Sequence, residues 1–316
     1  MGQDVKPYKG HLYYPKNLDG GPAYIFKGVD SNSDLTFVAD FSLQPRSFLR
    51  KVLKFLFVGR IPLPGRLVEW ITGYKGYHWL TTLKQGDRLL VNGVTNLHTL
   101  QAIKWLTPKN VRCFQYFNNC LRFVIPANDV GSRIAKMQQM GYNLVTFDPE
   151  EANNYNMTYA PQFYRFPEPY NAEIKYDFFF CGLSKDRGQH LLELKSQLES
   201  LGFSCLFIVV DDLKSGISYE EYLEHVKESR CLVDVFQENQ VGLTRRPMEA
   251  LFFNKKLLTE NRSIISFDFY RPENIYLLEQ DNIDGITHFM KNVEMTDVPD
   301  EVKRRYDVNT WLKFFA

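Results

Sequence analysis

The stretch YDFFFCGLSKDRGQHLLELKSQLESLG, residues 176–202, decides the fold of this chain. Its apolar run YDFFFCG (176–182) predicts a buried strand, and HLLELKSQLESLG (190–202) has the apolar spacing of a helix that ends at a glycine. A strand joined to a helix by a short polar loop, and repeated along the chain, is typical of a parallel sheet covered by helices. We therefore predict an α/β protein.

The same alternation extends in both directions from this stretch. Toward the C-terminus it continues through FSCLFIVV (203–210), YEEYLEHVKES (219–229), CLVDVF (231–236), RPMEALFF (246–253), KKLLTEN (255–261) and SIISF (263–267). Toward the N-terminus the predicted strands are AYIFKGV (23–29), LTFVADF (35–41), DRLLVNGV (87–94), VRCFQYF (111–117) and YNLVTFD (142–148), and the predicted helices are LHTLQAIKWL (97–106) and RIAKMQQMG (133–141). Two α/β series follow each other along the chain.

The two series are separated by residues 160–175, which contain three prolines and no helical period and therefore predict a linker. A chain of 316 residues also fits two domains better than one. We expect an N-terminal Rossmann-like domain at 1–165 and a C-terminal one at 172–295. Apolar spacing in 296–316 predicts a final amphipathic helix.

Composition narrows the possible partners. Lys and Arg total 38 against 37 Asp and Glu, so the net charge of +1 argues against wholesale binding to nucleic acid. The five cysteines form no C-x-x-C pair, which predicts reduced, buried thiols. The N-terminus has no apolar signal region and no run reaches the ~20 apolar residues of a membrane span, so we predict a cytoplasmic protein.

The first candidate site is the loop between the strand and the helix at 176–202. Here Gly182 permits close backbone approach, and Lys185 and Arg187 would bring positive charge to a phosphate at the start of the following helix. The alternative is a solvated basic turn in which Ser184 or Asp186 caps the helix. The loop has neither a complete P-loop nor a complete dinucleotide-binding pattern.

The second candidate site is the loop VGLTRRPMEAL (241–251), which also runs from a buried strand into a helix. Two adjacent arginines at a helix start predict an anion site, and a glutamate one turn later can accept hydrogen bonds from sugar hydroxyls. The alternative is that the glutamate complements the helix dipole and that the arginines pair with Asp234 or Glu238. The candidate residues are Gly242, Thr244, Arg245, Arg246 and Glu249.

The run QVGLTRRPMEALFFNKKLLTEN (240–261) resembles the donor-binding segment of bacterial GT-B glycosyltransferases that build lipopolysaccharide and capsule. Likeness extends to FFFCGLSKDRGQHLLELKSQL (178–198), to YLEHVKESRCLVDVFQENQ (222–240) and, more weakly, to LVTFDPEEANNYNMTYAPQFY (144–164). Together these segments cover about half the chain. The resemblance implies two Rossmann-like domains that face each other across a cleft, with the C-terminal helix returning toward the N-terminal domain.

The resemblance also implies an activity. A sugar would pass from a nucleotide sugar, UDP- or GDP-linked, to a growing surface glycan or lipid-linked glycan, with no cofactor and no essential metal. Lys185 and Arg187 would contact the donor phosphates, Arg245 or Arg246 would stabilise the departing diphosphate, and Glu249 would bind donor hydroxyls. The retaining group of this family has two glutamates eight positions apart, whereas here Val241 occupies the earlier position.

Two other functions remain open, and the missing earlier glutamate bears on the second. One is a nucleotide-sugar epimerase or hydrolase on the same fold, which would need no acceptor glycan. The other is a catalytically silent partner that binds a nucleotide sugar. Dependence of the reaction on an acceptor separates the first from a glycosyltransferase, and donor hydrolysis begins to separate the second.

The N-terminal domain should supply a catalytic base and the groups that hold the acceptor. Asp40, at the end of a predicted strand, is the best-placed candidate base, ahead of His98 and His78. Each of these side chains could instead be a cap or a structural polar group. Asparagines at predicted strand ends could bind acceptor hydroxyls, although asparagine is also common in turns; they are Asn92, Asn96, Asn118 and Asn119.

Residues 47–70, SFLRKVLKFLFVGRIPLPGRLVEW, combine many basic and many apolar side chains. One interpretation is a surface that touches an anionic membrane, here the inner membrane at its cytoplasmic face, or a phosphorylated lipid-linked acceptor. The other is a domain helix with solvated lysines and a buried Leu/Phe face. We favour the second because glycine and two prolines interrupt the stretch, although the two interpretations can hold together.

Overall fold

The computed structural model describes residues 12–16, 21–27, 29, 35–39, 47–74, 76–212, 215–235, 242–279 and 283–315. The chain forms two compact units: unit 1 is Met1–Ala160 with Leu312–Ala316, and unit 2 is Pro161–Trp311. Each unit contains one sheet, and every strand pair recorded in the two sheets is parallel. The predicted α/β class, with two parallel-sheet domains, is confirmed.

Unit 1 has a six-stranded sheet in the order β2-β1-β3-β4-β5-β6. Its strands are β1 (Leu12–Lys16), β2 (Leu35–Ala39), β3 (Arg88–Asn92), β4 (Arg112–Phe117), β5 (Tyr142–Thr146) and β6 (Thr158–Tyr159). Its helices are α1 (Gly21–Ile25), α2 (Phe48–Phe57), α3 (Gly65–Thr72), α4 (Gly76–Leu80), α5 (Leu97–Leu106), α6 (Leu121–Val124), α7 (Val130–Gln139) and α8 (Pro149–Asn154).

The core of unit 1 lies where α5 and α7 cover the central strands. Leu89 and Val91 of β3 and Leu100 and Ile103 of α5 are fully buried in one cluster. Helix α7 ends before Gly141, whose φ of +82° is a left-handed conformation that glycine adopts without steric cost. Because β3 and β4 are parallel neighbours, their carboxyl ends lie at the same end of the sheet.

Unit 2 has a five-stranded sheet in the order β11-β10-β9-β7-β8. Its strands are β7 (Tyr176–Leu183), β8 (Cys205–Val210), β9 (Ser229–Asp234), β10 (Lys256–Thr259) and β11 (Ile275–Leu277). Its helices are α9 (Gly188–Ser200), α10 (Tyr219–Lys227), α11 (Arg245–Phe252), α12 (Gly285–Lys291), α13 (Asp300–Lys303) and α14 (Val308–Trp311), with short 3-10 turns at Lys185–Arg187 and Arg262–Ser266.

The phenylalanines of β7 explain why this strand is central. Phe178 pairs in register with Cys205 of β8 and with Cys231 of β9, so β7 has a neighbour on each side. Phe178, Phe179 and Phe180 are all buried because helices cover both faces of the sheet. An uninterrupted apolar run is the sequence pattern of such a strand, and β7 is confirmed where the sequence predicts it.

In each unit the strand order reverses beside the first strands of the sheet. In unit 2 the chain runs from β7 outward to β8 and then back past β7 to β9, and in unit 1 the reversal lies between β1 and β3. In open α/β sheets, ligands bind at the carboxyl ends of the strands at such a switch point. The fold therefore directs attention to the ends of β7 and β9 in unit 2 and of β3 in unit 1.

Three predicted elements differ in the structure, and some observed strands were not predicted. The sequence predicts a strand at residues 23–29, but residues 21–25 form the helix α1. The strand that precedes it, β1, was not predicted. The run SIISF lies in a 3-10 turn, and the edge strand is β11. Instead of one terminal helix, the chain forms α13, α14 and two 3-10 turns, because Pro299 and the extended Asp307 interrupt it. Residues 312–315 nevertheless lie in unit 1.

The segment 160–175 contains no helix, as predicted; residues 168–175 are largely exposed, but the first part of the segment is packed. Phe163 and Tyr164 are buried, and the Phe163 ring stacks on Trp311 at 3.9 Å between centroids. Tyr164 also exchanges backbone hydrogen bonds with the chain around Asp307. These aromatic side chains join the segment to unit 2.

Candidate functional site

Two arginines converge at the switch point of unit 2. The Arg246 guanidinium lies over the Phe180 ring at 4.5 Å, and that of Arg187 lies over the same ring at 5.4 Å. Arg246 donates a hydrogen bond to the Cys181 carbonyl at the end of β7, and Arg187 donates to the Val235 carbonyl beyond β9. The ring face and the carbonyls fix both cations without neutralising them.

Asp234 is the buried carboxylate of this site. It ends β9 with no exposed surface, and its Oδ1 lies 3.6 Å from Nη1 of Arg246. Two hydroxyls donate to it: Thr244 to Oδ1 at 2.7 Å and Thr259 to Oδ2 at 3.1 Å. The alternative pairing of an arginine with Asp234 is thus observed for Arg246, whereas Glu238 lies outside the described residues.

The electrostatics of the site favour a bound anion. Burial and the neighbouring Arg246 guanidinium lower the pKa of Arg187, and they outweigh the opposing effects of Asp234, Asp186 and Glu260. Burial and a like charge both destabilise the charged form of a side chain, so an anion that approaches it stabilises that form. A diphosphate would supply that negative charge.

The loop after β7 brings further polar groups to the same strand end. Gly182 has almost no space for a side chain, because a Cβ atom would lie 2.7 Å from Nη2 of Arg246. Lys185 is exposed and has a φ of +45°, a left-handed conformation that is uncommon for a residue with a side chain. Such outliers are concentrated at functional sites, where surrounding structure holds them.

Helix α11 begins at the same edge of the sheet. Its first residues follow Thr244, whose hydroxyl is turned to Asp234 and makes no capping bond to the helix. The amides at the start of α11 therefore receive no hydrogen bond from the Thr244 side chain, and Gly242 and Leu243 just before them are buried. Amides at a helix start are suited to phosphate oxygens when cations stand beside them.

Glu249 lies one turn into α11, and tyrosines hold its carboxylate. The residue is 2% exposed, the Tyr219 hydroxyl donates to its Oε1 at 3.0 Å, and the Tyr222 hydroxyl donates to Oε2. Burial, with the negative charge of Glu249, raises the pKa of both phenols well above the usual value, so they remain donors. The hydroxyl of Tyr164 lies 2.7 Å from that of Tyr219 and extends the chain of hydrogen bonds.

Arg245 belongs to the Glu249 side of α11. Burial would lower its pKa, but the negative potential of Tyr219 and Glu249 raises it. The two adjacent arginines thus have different surroundings: Arg246 faces Phe180 and Asp234, and Arg245 faces the tyrosine–glutamate group. Of the two, Arg246 is the one beside the carboxyl end of β7.

In unit 1 the corresponding strand end carries amides and a histidine. The Oδ1 of Asn92, at the end of β3, is buried and has no hydrogen-bond partner among the described residues. The residues that follow Asn92, 93–96, 98 and 99, line a cavity of about 320 Å³ together with Lys51, Lys54 and Phe55 of α2 and Val58. Polar side chains and a cavity at a switch point form a candidate acceptor site.

The individual unit 1 residues have distinct roles in the structure. Asn96 caps α5 by accepting a hydrogen bond from the Thr99 amide at 2.9 Å, the local function that asparagine commonly has. His98 lines the cavity, with Nδ1 3.4 Å from the Gly59 carbonyl. Asn118 and Asn119 are both exposed, and Asn118 lies beside Gly93. His78 lies in α4, where its amide donates to Glu69.

The candidate base Asp40 lies outside the described residues. Potential metal ligands come together in the described part of unit 1 as Cys120, Asp148 and Glu151, within 4.8 Å of one another. Asp148 caps α8, and Glu151 accepts from the Leu121 amide and the Thr146 hydroxyl. Burial above all, and then the negative charges of Glu151 and Asp148, raise the pKa of Cys120 to about 12, so its thiol is protonated.

The sequence predicts the arginines, Gly182 and Glu249 as site residues and offers Asp234 as a partner of an arginine, but it does not indicate the aromatic partners. Phe180 supports both guanidiniums, although its run FFF indicates only a buried strand. Tyr219 and Tyr222 reach Glu249 from another helix, and their spacing of three residues on one helix face was the available signal.

Comparison with known proteins adds little to these observations. No family model matches the sequence, and no curated protein matches it. Among solved structures, sucrose-phosphate synthase from Thermosynechococcus elongatus is similar over 97% of each chain, with a TM-score of 0.47 and 8% sequence identity. A likeness at this level says nothing about substrates or about individual residues.

Proposed function

We propose that this protein is a glycosyltransferase that holds a nucleotide sugar in unit 2 and transfers the sugar to an acceptor bound by unit 1. The observation that carries the proposal is the pair of guanidiniums, from Arg187 and Arg246, fixed over the Phe180 ring at the switch point. A nucleoside diphosphate is the leaving group of such a transfer, and cations held in place before the reaction stabilise its developing charge.

The donor would lie with its diphosphate between Arg246 and the start of α11. Arg187 and the exposed Lys185 would contact the phosphates from the β7 side, where Gly182, lacking a side chain, leaves room for the Arg246 guanidinium. Because guanidiniums supply the positive charge, we propose transfer without an essential metal. A contact of Glu249 with donor hydroxyls remains a prediction, since tyrosine hydroxyls occupy both of its oxygens.

The acceptor would lie against the strand ends of unit 1. The Asn92 carbonyl oxygen there has no partner among the described residues, and the neighbouring cavity includes His98, the described candidate for a catalytic base. Amides and an imidazole match the hydroxyls of a sugar, whereas two lysines match a phosphate on a lipid-linked acceptor. In line with the sequence resemblance, we propose a bacterial surface glycan as the product, made at the cytoplasmic face of the inner membrane.

The first experiment is a thermal-shift series with UDP-, GDP-, CMP- and ADP-sugars on the wild type, Arg246→Ala and Arg262→Ala. Arg262 is the matched control, because its ion pair with Glu279 is largely exposed. One nucleotide class should raise the wild-type Tm, since a ligand that binds the native state stabilises it. Loss of charged hydrogen bonds should weaken donor binding roughly 10- to 100-fold in Arg246→Ala, and Arg262→Ala should respond as the wild type does.

The ligand-induced shift, not the absolute Tm, is the readout, because Arg246→Ala also leaves Asp234 without its cation. Arg246→Lys keeps the charge and serves if the alanine variant does not fold. A protein that no nucleotide sugar stabilises, or an Arg246→Ala variant with the wild-type shift, would refute the donor site. Product formation that requires an added glycan acceptor would then separate transfer from hydrolysis, epimerisation and silent binding.

A further inference from the structure

The surface of α2 and α3 in unit 1 is apolar where a protein surface is normally polar. No residue of α2 is buried, so the expectation of a helix with a buried Leu/Phe face is wrong. Phe48 is 81% exposed and Leu49 61% exposed. We name as the apolar face the exposed residues Phe48, Leu49, Phe55, Leu56, Ile61 and Trp70.

The apolar face is continuous along α2. Phe48 and Phe55, and likewise Leu49 and Leu56, are seven residues apart, so each pair is aligned along the helix two turns apart. Trp70, in α3, is exposed beside another side of α2, where the Arg50 guanidinium lies 5.3 Å from the indole. The helix is attached to unit 1 from another side, through the partly buried Leu53 and through Val58 just beyond its end. A contiguous exposed stripe of this kind marks a binding surface.

Basic side chains surround the apolar face. Residues 47–70 contain five basic residues, Arg50, Lys51, Lys54, Arg60 and Arg66, and one acidic residue. The acid, Glu69, accepts a hydrogen bond from the His78 amide. Arg60 lies 5.1 Å from the Phe55 ring, so a cation stands directly beside an exposed aromatic group. Apolar side chains bordered by arginine and lysine are the pattern of a helix that lies in a lipid–water interface.

We propose that the apolar face docks unit 1 on the surface of an anionic lipid bilayer. Charge decides between this occupant and a second copy of the chain, because a symmetrical dimer would place the same arginines and lysines against each other. Lipid phosphates instead neutralise them while the rings enter the acyl boundary. None of the helices in the described ranges is long and apolar enough to cross a membrane, so this contact lies in the plane of the interface.

Phe55 connects the docking surface with the cavity of unit 1. It belongs to the apolar face and also lines the cavity, together with Lys51 and Lys54. Burial lowers the pKa of Lys54, and a phosphate in the cavity would favour its protonated form. Docking would therefore present the cavity to lipid headgroups. Delivery of a lipid-linked acceptor rests on the proposed glycosyl transfer, whereas docking itself does not.

The test is sedimentation with vesicles of phosphatidylcholine alone and of phosphatidylcholine with about one third phosphatidylglycerol. The wild type should bind the anionic vesicles and bind the neutral ones at least tenfold more weakly. The double variant Phe48→Ser/Leu49→Ser should lose binding at least tenfold, because both groups leave the acyl boundary. Arg60→Gln/Arg66→Gln should lose about fivefold per removed charge and leave binding less sensitive to salt.

The matched control is Phe123→Ser/Leu192→Ser, which removes one exposed phenylalanine and one exposed leucine elsewhere, 48% and 64% exposed. It should bind vesicles as the wild type does. Equal binding to both vesicle types, or wild-type binding by Phe48→Ser/Leu49→Ser, would overturn the proposal. A concentration-dependent dimer abolished by that variant, without vesicle binding, would assign the face to a second copy. Donor-induced thermal shifts should be unchanged in every variant, so docking and donor binding can fail separately.

Discussion

Unit 1 and unit 2 have sheets in which the strand order reverses at the same place, yet the side chains at the two reversals differ in charge. At the ends of β7 and β9, two guanidiniums are held over a phenylalanine, and one of them faces a fully buried carboxylate. At the end of β3 there are neutral amides and a histidine, and the positive charge of the neighbouring cavity comes instead from two lysines of α2. The topology sets where a ligand binds, and the residues after each strand set its charge.

The largest expected effect comes from breaking the charge balance of unit 2. Asp234→Asn leaves Arg246 without its buried carboxylate and should lower the free energy of unfolding by about 3–5 kcal/mol. The matched substitution in unit 1 is Asp148→Asn, at a buried carboxylate that caps α8. Because asparagine caps helices as well as aspartate, that change should cost less than about 1 kcal/mol.

Urea unfolding of both variants, with and without sulfate, measures the comparison. Sulfate should restore part of the stability of Asp234→Asn and have a weaker effect on Asp148→Asn, since the anion replaces negative charge at the arginines. Equal losses in the two variants, or no difference in their response to sulfate, would contradict a charged site that is specific to unit 2.

A smaller effect is expected at Glu249, where the question is whether the carboxylate holds structure or substrate. Glu249→Ala leaves two buried phenols without an acceptor and should cost about 2–4 kcal/mol. Glu193→Ala, at an exposed position on α9, is the control and should cost less than about 0.5 kcal/mol. Chemical unfolding and donor-induced thermal shifts are measured together. Unchanged stability with loss of the donor shift would instead make Glu249 a donor-binding residue.

The smallest effect concerns a lysine in unit 2 that differs from the arginines in being able to lose its proton. Burial lowers the pKa of Lys255 from 10.5 to about 8, and its ammonium donates to the Lys227 carbonyl at 2.6 Å. Between pH 8 and pH 10.5 the unfolded chain then binds more protons than the folded one. Stability contributed by this group therefore rises with pH across that window.

Lys255→Met removes that rise. The stability of the wild type relative to Lys255→Met should increase by about 1–2 kcal/mol between pH 7 and pH 10. Urea unfolding of both proteins at several pH values gives the difference directly, because the other titrating groups are common to both. Parallel stability curves would show that the folded and unfolded pKa values of Lys255 are the same.

Much of unit 2 could be predicted from the sequence because its signals are local. The apolar run before Gly182 predicts a buried strand. The arginines follow β7 and β9, which are parallel neighbours, so the topology brings them to the same end of the sheet. The carboxylate–tyrosine group could not be assigned in the same way. Tyr222 and Glu249 are 27 positions apart, and only the packing of α10 against the sheet brings them together.

Unit 1 was predicted less well for a related reason. An amphipathic stripe in the sequence predicts that one face of a helix meets apolar surroundings, but it does not say whether those surroundings belong to the same chain. In α2, Phe48 and Leu49 are exposed, so no described residue of this chain covers the apolar stripe. The short segment 21–25 shows a second limit, because five residues of helix carry too few turns for a periodic pattern.

The position of Phe315 has a consequence for the order in which the protein folds during synthesis. The ring is fully buried in unit 1 beside Phe114, and Arg88 donates to the Phe315 carbonyl at 2.6 Å. All of unit 2 lies between Ala160 and Leu312 in the chain, so the ribosome adds roughly 150 residues before Phe315 exists. At the usual rate of synthesis this delay is on the order of ten seconds. Unit 1 emerges first, but the last piece of its core is synthesised after unit 2.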